Sequence, residues 1–593
     1  TMTTITAFWL FLSCSLLLPQ YVQACSDLLI TPSASLDSSA MIAYNADDPA
    51  LFGVLYHYPA KKNGNNSNNN TKVQIYDWDS GKYLGEIPDV KETYNVIGNG
   101  NEHGLVIGES TFGGVVEKIG MQDGAIIDYG SMIYLALQRC KTAVEAIHTM
   151  ADLMDTYGYA SEGESISIAD ISGHVWIMEV IGVGSTYGRL GAVWVARKVP
   201  NGLVTAHANQ ARITTFPRDD PDNCLFADNV VDVAVHYGLY SADADPLDFS
   251  FSDIYDPVTF TGARFSEARV WSMFSQIVDT DGSFQAQYID YVTGKNLTNR
   301  MPLFVKPHRK LSLDDVMQIM TSHYEDTELD ATKDVGAGLY GDPHRPRPLT
   351  WEYEDKMYFH ERTIATERTG WNFIAQIRPS MPRELAALIW FAVDDSSTSP
   401  RVPVYAASTK VADSYSGKGT QQGMTGPLMK LDMAKSFWVQ NMVSNLVYWR
   451  WRDAYPFVRT KINDIHADFQ TQVQMADQRA LEIYHNDSPA AAVEYVSEFS
   501  VNAGEKLHEQ WLDFYGDVFV RIRDFSVIVA DESNTRCGCD VQQPGLTQEN
   551  KKRIVQETGS HYEVFGSTTT ANREQESTFD GGLANGQNIK SIY

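Results

Sequence analysis

The chain has 593 residues, a formal net charge of −28 and 43% hydrophobic residues. That acidity argues against nucleic-acid partners, which demand basic patches, and the apolar and aromatic content excludes global disorder. Beyond an apolar N-terminal segment about 570 residues remain, enough for one large or two ordinary domains.

Residues 7–18 (AFWLFLSCSLLL) have the length of a signal-peptide core and are too short to span a bilayer. Val22-Gln23-Ala24 then offers a small-residue cleavage site. Residues 1–24 therefore read as a signal peptide, with Cys25 as the first residue of the mature chain. A lipoprotein reading, with Cys25 acylated, lacks the Leu expected at −3. No later stretch approaches the length of a membrane span, so no membrane association is expected after signal removal. The expected destination is the secretory pathway, ending outside the cell or in a lysosome-like lumen.

A leading cysteine carries a thiol and a free α-amine in one residue. The amine, with a reference pKa of about 8, can take the thiol proton without a histidine. This points to a hydrolase whose active site is completed by processing.

Residues 25–48 read as a hairpin, with strands CSDLLITPSAS and MIAYNAD around a turn at Leu36-Asp37-Ser38-Ser39. Strand patterns recur at 72–77, 92–98 and 104–111. Residues 128–157 change to helical period, with a capping box at Thr142–Glu145 and a stop at Gly158. Strands return at 166–170, 175–181 and 192–197. This order predicts an α+β body with antiparallel sheets covered on their outer faces by helices. From 309 short helices alternate with Pro-rich loops, and a strand pair is expected at 372–378 and 386–393. Residues 428–530 read as helical, with Trp438, Trp449 and Trp451 expected in the core. After 540 the polar composition predicts a mobile or draped tail.

Of the remaining cysteines, Cys140 reads as a buried apolar thiol. Cys537 and Cys539 are left to separate partners or to a metal, although no nearby histidine completes a zinc site. The pairs Asp243/Asp245 and Asp279/Asp281 continue into no EF-hand loop and read as solvated turns. Sequons at Asn65, Asn69, Asn296 and Asn486 permit glycosylation. No metal or organic cofactor is expected.

Several motifs fall in a family order: Cys25 with Ala43-Tyr-Asn-Ala-Asp47, Gly104–Ser110, Asp128–Met132, Tyr157–Ser165, Trp176–Val180, His207–Ile213 and His323–Thr327. Together they resemble peptidase family C69, the N-terminal-cysteine dipeptidases of the N-terminal nucleophile (Ntn) hydrolase superfamily. The likeness covers residues 25–410 and, less distinctly, the helical region to about 480. It implies an αββα sandwich over 25–410; the helical extension over 411–539 and the polar tail over 540–593 are read from periodicity and composition, and the tail has no counterpart in the family. The resemblance also implies a cysteine-type dipeptidase acting on short peptides, for which a homo-oligomer is compatible.

By the same resemblance Cys25 is the nucleophile and Asp47 the carboxylate that holds its amine. Asn209 is implied as an oxyanion donor, with turn capping as its alternative. An arginine that stabilises the thiolate is implied at Arg269 or Arg264, with Arg269 preferred. Glu109 and Glu164 are candidates either for binding the substrate's free amine or for buried structural roles. His207 and His323 read as structural. Tyr44 departs from the family, which usually carries Arg there. Three other readings stay open: an N-acyl amide hydrolase of the same fold, a non-enzymatic secreted glycoprotein, and a precursor that cleaves itself before Cys25.

Overall fold

The computed structural model describes residues 25–62, 71–115, 119–344, 350–417, 428 and 430–563. The signal-peptide reading and the sequons at Asn65 and Asn69 lie outside them. The chain divides into two compact units, Thr1–Arg523 and Asp524–Tyr593.

In chain order the main elements of the first unit are β1 (Ser26–Ile30), β2 (Ala40–Asp47), β3 (Val106–Phe112), α1 (Tyr129–Arg139), α2 (Ala143–Tyr157), β4 (Gly163–Ala169), β5 (Val175–Gly182), β6 (Ala192–Lys198), β7 (Val204–His207), α3 (Ala268–Val278), β8 (Thr369–Ile377), β9 (Ala387–Val393), β10 (Val402–Tyr405), α4 (Ser436–Trp449), α5 (Trp451–Asn486) and α6 (Pro489–Ile522).

Two antiparallel sheets form the middle of this unit. One runs β7-β1-β2-β8-β9-β10; the other is built on β6-β5-β4-β3, with short strands continuing at both edges. The inner faces meet where β3 and β4 lie against β1 and β2, and α1 and α2 cover the outside of the second sheet. On the outside of the first sheet lie α3, α4, α5 and α6. This is the expected αββα layering. Strands in such a sandwich are covered on both faces, which is why β9 (ALIWFAV) is a continuous apolar run and is buried throughout.

The local signals act as their chemistry dictates. Asp128 caps α1 by accepting from the Ser131 N–H at 3.2 Å. Thr142 and Glu145 close the predicted capping box on α2. That helix ends at Gly158 (φ 75°), where a Cβ would meet Ala125 at 2.7 Å. Buried Cys140 separates the two helices, and its thiol donates to Thr149 Oγ1 at 3.1 Å.

Two expectations need correction. Trp451 is buried against Tyr448 and Tyr455, but Trp449 is 43% exposed at the solvent-facing end of α4. Cys537 and Cys539 bond to each other rather than to separate partners or a metal. The expected C-terminal helical extension is present as α4 to α6, in the same compact unit as the sandwich. In the second unit a hairpin pairs Val527–Ala530 with Cys539–Gln542, and a helix capped by Thr547 spans Gln548–Thr558. Regular structure thus enters the stretch that composition alone marks as tail.

Candidate active site

The β1–β2 hairpin returns the chain beside Cys25. Its turn is held by Asp37, whose Oδ1 accepts from the Ser39 N–H at 3.0 Å and from both Ser35 and Ser39 hydroxyls. The register sets Ser26 opposite Asn45 and Asp27 opposite Tyr44. Strand alternation then turns Cys25 and Tyr44 to the face that meets β3.

Cys25 is buried, with Sγ 3.4 Å from the Tyr44 hydroxyl and 3.5 Å from Glu109 Oε1. The Tyr44 hydroxyl in turn donates to Glu109 Oε1 at 2.6 Å. Burial pushes the thiol well above its usual pKa, and the charges of Glu109 and Asp47 add to the rise. The Tyr44 hydroxyl and the Asp47 backbone pull the other way. Neither bonding partner of the sulfur is an imidazole. A proton acceptor for the thiol must therefore come from another group.

Asp47 ends β2. Its Oδ1 accepts from the Thr369 hydroxyl, and its Oδ2 lies 2.8 Å from Arg362 Nη2. Burial raises its pKa, and Arg362 and Thr369 oppose that rise. Arg362 has no sequence signal, because it lies far along the chain in an irregular segment.

Arg269, on α3, is 0% exposed and ties three parts of the site together. Its Nη1 donates to the Cys25 carbonyl oxygen at 2.7 Å and to Ser26 Oγ at 2.9 Å. Its Nη2 donates to Asn209 Oδ1 at 2.8 Å. These bonds reach the cysteine's carbonyl rather than its sulfur, which alters the contact expected of this arginine. Burial and the nearby Arg362 push its pKa down to about 9. The ring of Phe265 lies 4.9 Å from the Arg269 guanidinium and 5.6 Å from that of Arg362. Arg264 sits elsewhere, paired with Glu361 and donating to the Thr293 carbonyl at 3.1 Å.

Asn209 follows β7 in a left-handed conformation (φ 58°) that asparagine tolerates better than most residues. Its Nδ2 donates to the Thr111 carbonyl, and its backbone N–H donates to Ser110 Oγ at 3.3 Å. Behind it, His207 bridges Ser110 (2.6 Å) and Ser167 (2.7 Å), and Ser167 donates to Asp27 Oδ1 at 3.0 Å. Burial pushes His207 down to about 3, so this imidazole is neutral and structural in character. His323 is buried beside Glu325, 3.1 Å away.

Glu109 and Glu164 are close enough for the charge of one to act on the other, and the Oε2 atom of each is buried without a hydrogen-bond partner among the described residues. Burial raises both carboxyls, and the charge of Glu109 adds to the rise at Glu164, which also accepts from Thr111 Oγ1 at 2.9 Å.

A small pocket lies beside Cys25. Cys25, Tyr44, Asp47 and Glu109 line it with an aromatic wall of Trp78, Tyr129, Tyr134 and Trp371. Asn99 also lines it, its Nδ2 donating to the Ile107 carbonyl at 2.9 Å; Asn209 is not among the lining residues. Sequence reasoning missed Asn99, which lies in a turn with no motif.

Among the described residues no group of three or more His, Cys, Asp or Glu could hold a metal ion. Asp279 instead accepts from the Phe284 and Gln285 N–H groups, and Asp245 from Leu247 N–H. Asn296 and Asn486 are exposed.

A cysteine heading an inner strand of an αββα sandwich defines the class of N-terminal nucleophile hydrolases. Within that class the chain belongs to peptidase family C69, whose profile matches residues 24–464. It is 24% identical over 453 residues to dipeptidase A of Lactobacillus helveticus, covering 73% of this chain and 84% of that one. It is also 24% identical over 412 residues to a probable dipeptidase of Latilactobacillus sakei, covering 66% and 76%. Penicillin V acylase of Agrobacterium tumefaciens aligns over 65% of this chain and 87% of its own, at 10% identity and a TM-score of 0.27.

Proposed function

We propose that this peptidase hydrolyses dipeptides in the secretory pathway, with Cys25 as nucleophile and its own α-amine as general base after removal of residues 1–24. One observation carries the reading: Cys25 lines an aromatic-walled pocket and its sulfur has a carboxylate, Glu109, at 3.5 Å. Such a pocket suits a short peptide whose free ammonium needs an anionic partner. It suits an N-acyl amide less well, because that substrate brings no charge to meet Glu109. Glycans at Asn296 and Asn486 belong to the same secretory reading.

The steps follow from the groups present. The α-amine takes the thiol proton, and sulfur attacks the scissile carbonyl to form a tetrahedral oxyanion. A backbone N–H and an asparagine amide, Asn209 or Asn99, stabilise that charge. The protonated amine then gives its proton to the departing amino group, leaving a thioester that water cleaves. Asp47 orients the amine, and Arg269 fixes the Cys25 carbonyl and Asn209 in one frame.

Cys25→Ser and Cys25→Ala test this reading. Each should lose most dipeptide hydrolysis while thermal unfolding stays nearly unchanged; activity of Cys25→Ala near the parent level overturns it.

A further inference from the structure

Away from the nucleophile, a second group of charges is left without bonding partners. Arg401 precedes β10 and is 0% exposed, yet its Nε, Nη1 and Nη2 all lack a hydrogen-bond partner among the described residues. Only its backbone N–H is engaged, donating to His466 Nε2 on α5 at 2.9 Å. Because that imidazole accepts, it is neutral, and burial together with Arg401 and Arg459 holds its pKa far down.

Arg459 lies seven residues earlier on α5, a spacing that puts it on the same helix face as His466. Its Nε and Nη1 are likewise buried without partners. Each of these arginines is close enough to lower the pKa of His466, and Arg459 lowers that of Arg401.

The opposing charge falls short. Asp395 is buried and acts on Arg401, but Oδ1 accepts from the Ser397 N–H and hydroxyl at 2.7 Å each, and Oδ2 from the Tyr448 hydroxyl. Asp314, which acts on Arg459, is exposed and bonded to Gln470 Nε2 at 2.7 Å. Two guanidiniums thus face one buried and one exposed carboxylate, neither hydrogen-bonded to them, and five buried donor nitrogens stay unmet among the described residues. Buried charges are normally paired and buried donors bonded, so such a cluster calls for a compensating group.

We propose that Arg401 and Arg459 form a buried binding site for one small monovalent inorganic anion, of which chloride is the probe. The site braces the catalytic sheet as well. The loop between β9 and β10 that leads into Arg401 also carries Ser396, whose Oγ accepts from Asn45 Nδ2 on β2 at 3.1 Å. Asn45 stands two residues before Asp47.

The test uses the full-length protein, with sodium gluconate replaced by sodium chloride at constant ionic strength. The thermal unfolding midpoint should rise saturably, by about 1 °C at ten times Kd. Arg401→Gln should remove that chloride response while the protein remains folded in gluconate. Should that variant not fold, chloride-35 line broadening on the parent protein decides, because a bound fraction must broaden the line and nitrate must reverse the effect. An unfolding midpoint equal in the two salts, a full chloride response in Arg401→Gln, or an unbroadened chloride line overturns the proposal.

Discussion

The hydroxyl of Tyr44 lies 3.4 Å from Cys25 Sγ and donates to Glu109 Oε1 at 2.6 Å, so one phenol joins the nucleophile to the carboxylate of the pocket. The family resemblance leads one to expect an arginine there, and a neutral bridge has different consequences from a cation. The phenol opposes the rise of the thiol pKa through one hydrogen bond, without the Coulombic pull of a guanidinium.

Tyr44→Phe should therefore raise the thiol pKa further and slow iodoacetamide alkylation of Cys25 at neutral pH. Loss of one hydrogen bond to a charged group corresponds to about 10-fold in kcat/KM. Tyr44→Arg should move the alkylation profile in the opposite direction, toward lower pH. Profiles that coincide for all three proteins remove Tyr44 from the site.

Glu109→Gln should raise KM for dipeptides with a free amino end by about 10- to 100-fold, the worth of one charge-assisted bond. Turnover of N-acetylated dipeptides should change far less. Because burial raises the pKa of both Glu109 and Glu164, dipeptide affinity should also fall as pH drops through the pair's titration and its last negative charge is lost. Equal losses on free and acetylated substrates would assign Glu109 a structural role.

Arg269 and Arg264, five residues apart, should behave oppositely. Arg269→Met unfastens the Cys25 carbonyl, Ser26 and Asn209, so kcat should fall by about 100-fold or more with little change in KM. Arg264→Gln breaks a partly exposed ion pair with Glu361, and its effect on stability should stay within about 1 kcal/mol. Steady-state kinetics and denaturant unfolding on both variants check the contrast.

Stability should fall as pH rises from 6.5 to 8. Burial raises Glu179 to about 8, so the folded chain keeps a proton there that the unfolded chain releases above its ordinary value. That group alone contributes a loss of at most about 1.4 kcal/mol per pH unit across this window. Neutral His207, pushed down to about 3, exerts its opposing effect only below its unfolded value of 6.5. Glu179→Gln should flatten the slope between pH 6.5 and 8, as read from unfolding midpoints.

Local chemistry made much of this molecule readable in advance. The Asp37 turn, the Thr142–Glu145 capping box and the apolar runs of β8 and β9 each depend on neighbours within a few residues. The same holds for Cys25, which stands out by its position behind an apolar segment. What escaped depends on pairings that only the assembled sheets create. Asp47 meets Arg362 across most of the chain length, and Asn99 reaches the pocket from a turn without a motif. Periodicity also places Trp449 on an aromatic face but cannot tell that its end of α4 meets solvent. Cys537 pairs with Cys539 across a single glycine, where sequence alone leaves each open to separate partners or a metal.

Mass analysis of the amino terminus of purified, active enzyme bears most directly on the central claim. The account predicts a chain that starts at Cys25 with an unmodified amine, and activity that appears only with that form. Full dipeptide hydrolysis by protein still carrying Ala24, or by protein whose Cys25 amine is acylated, would contradict it.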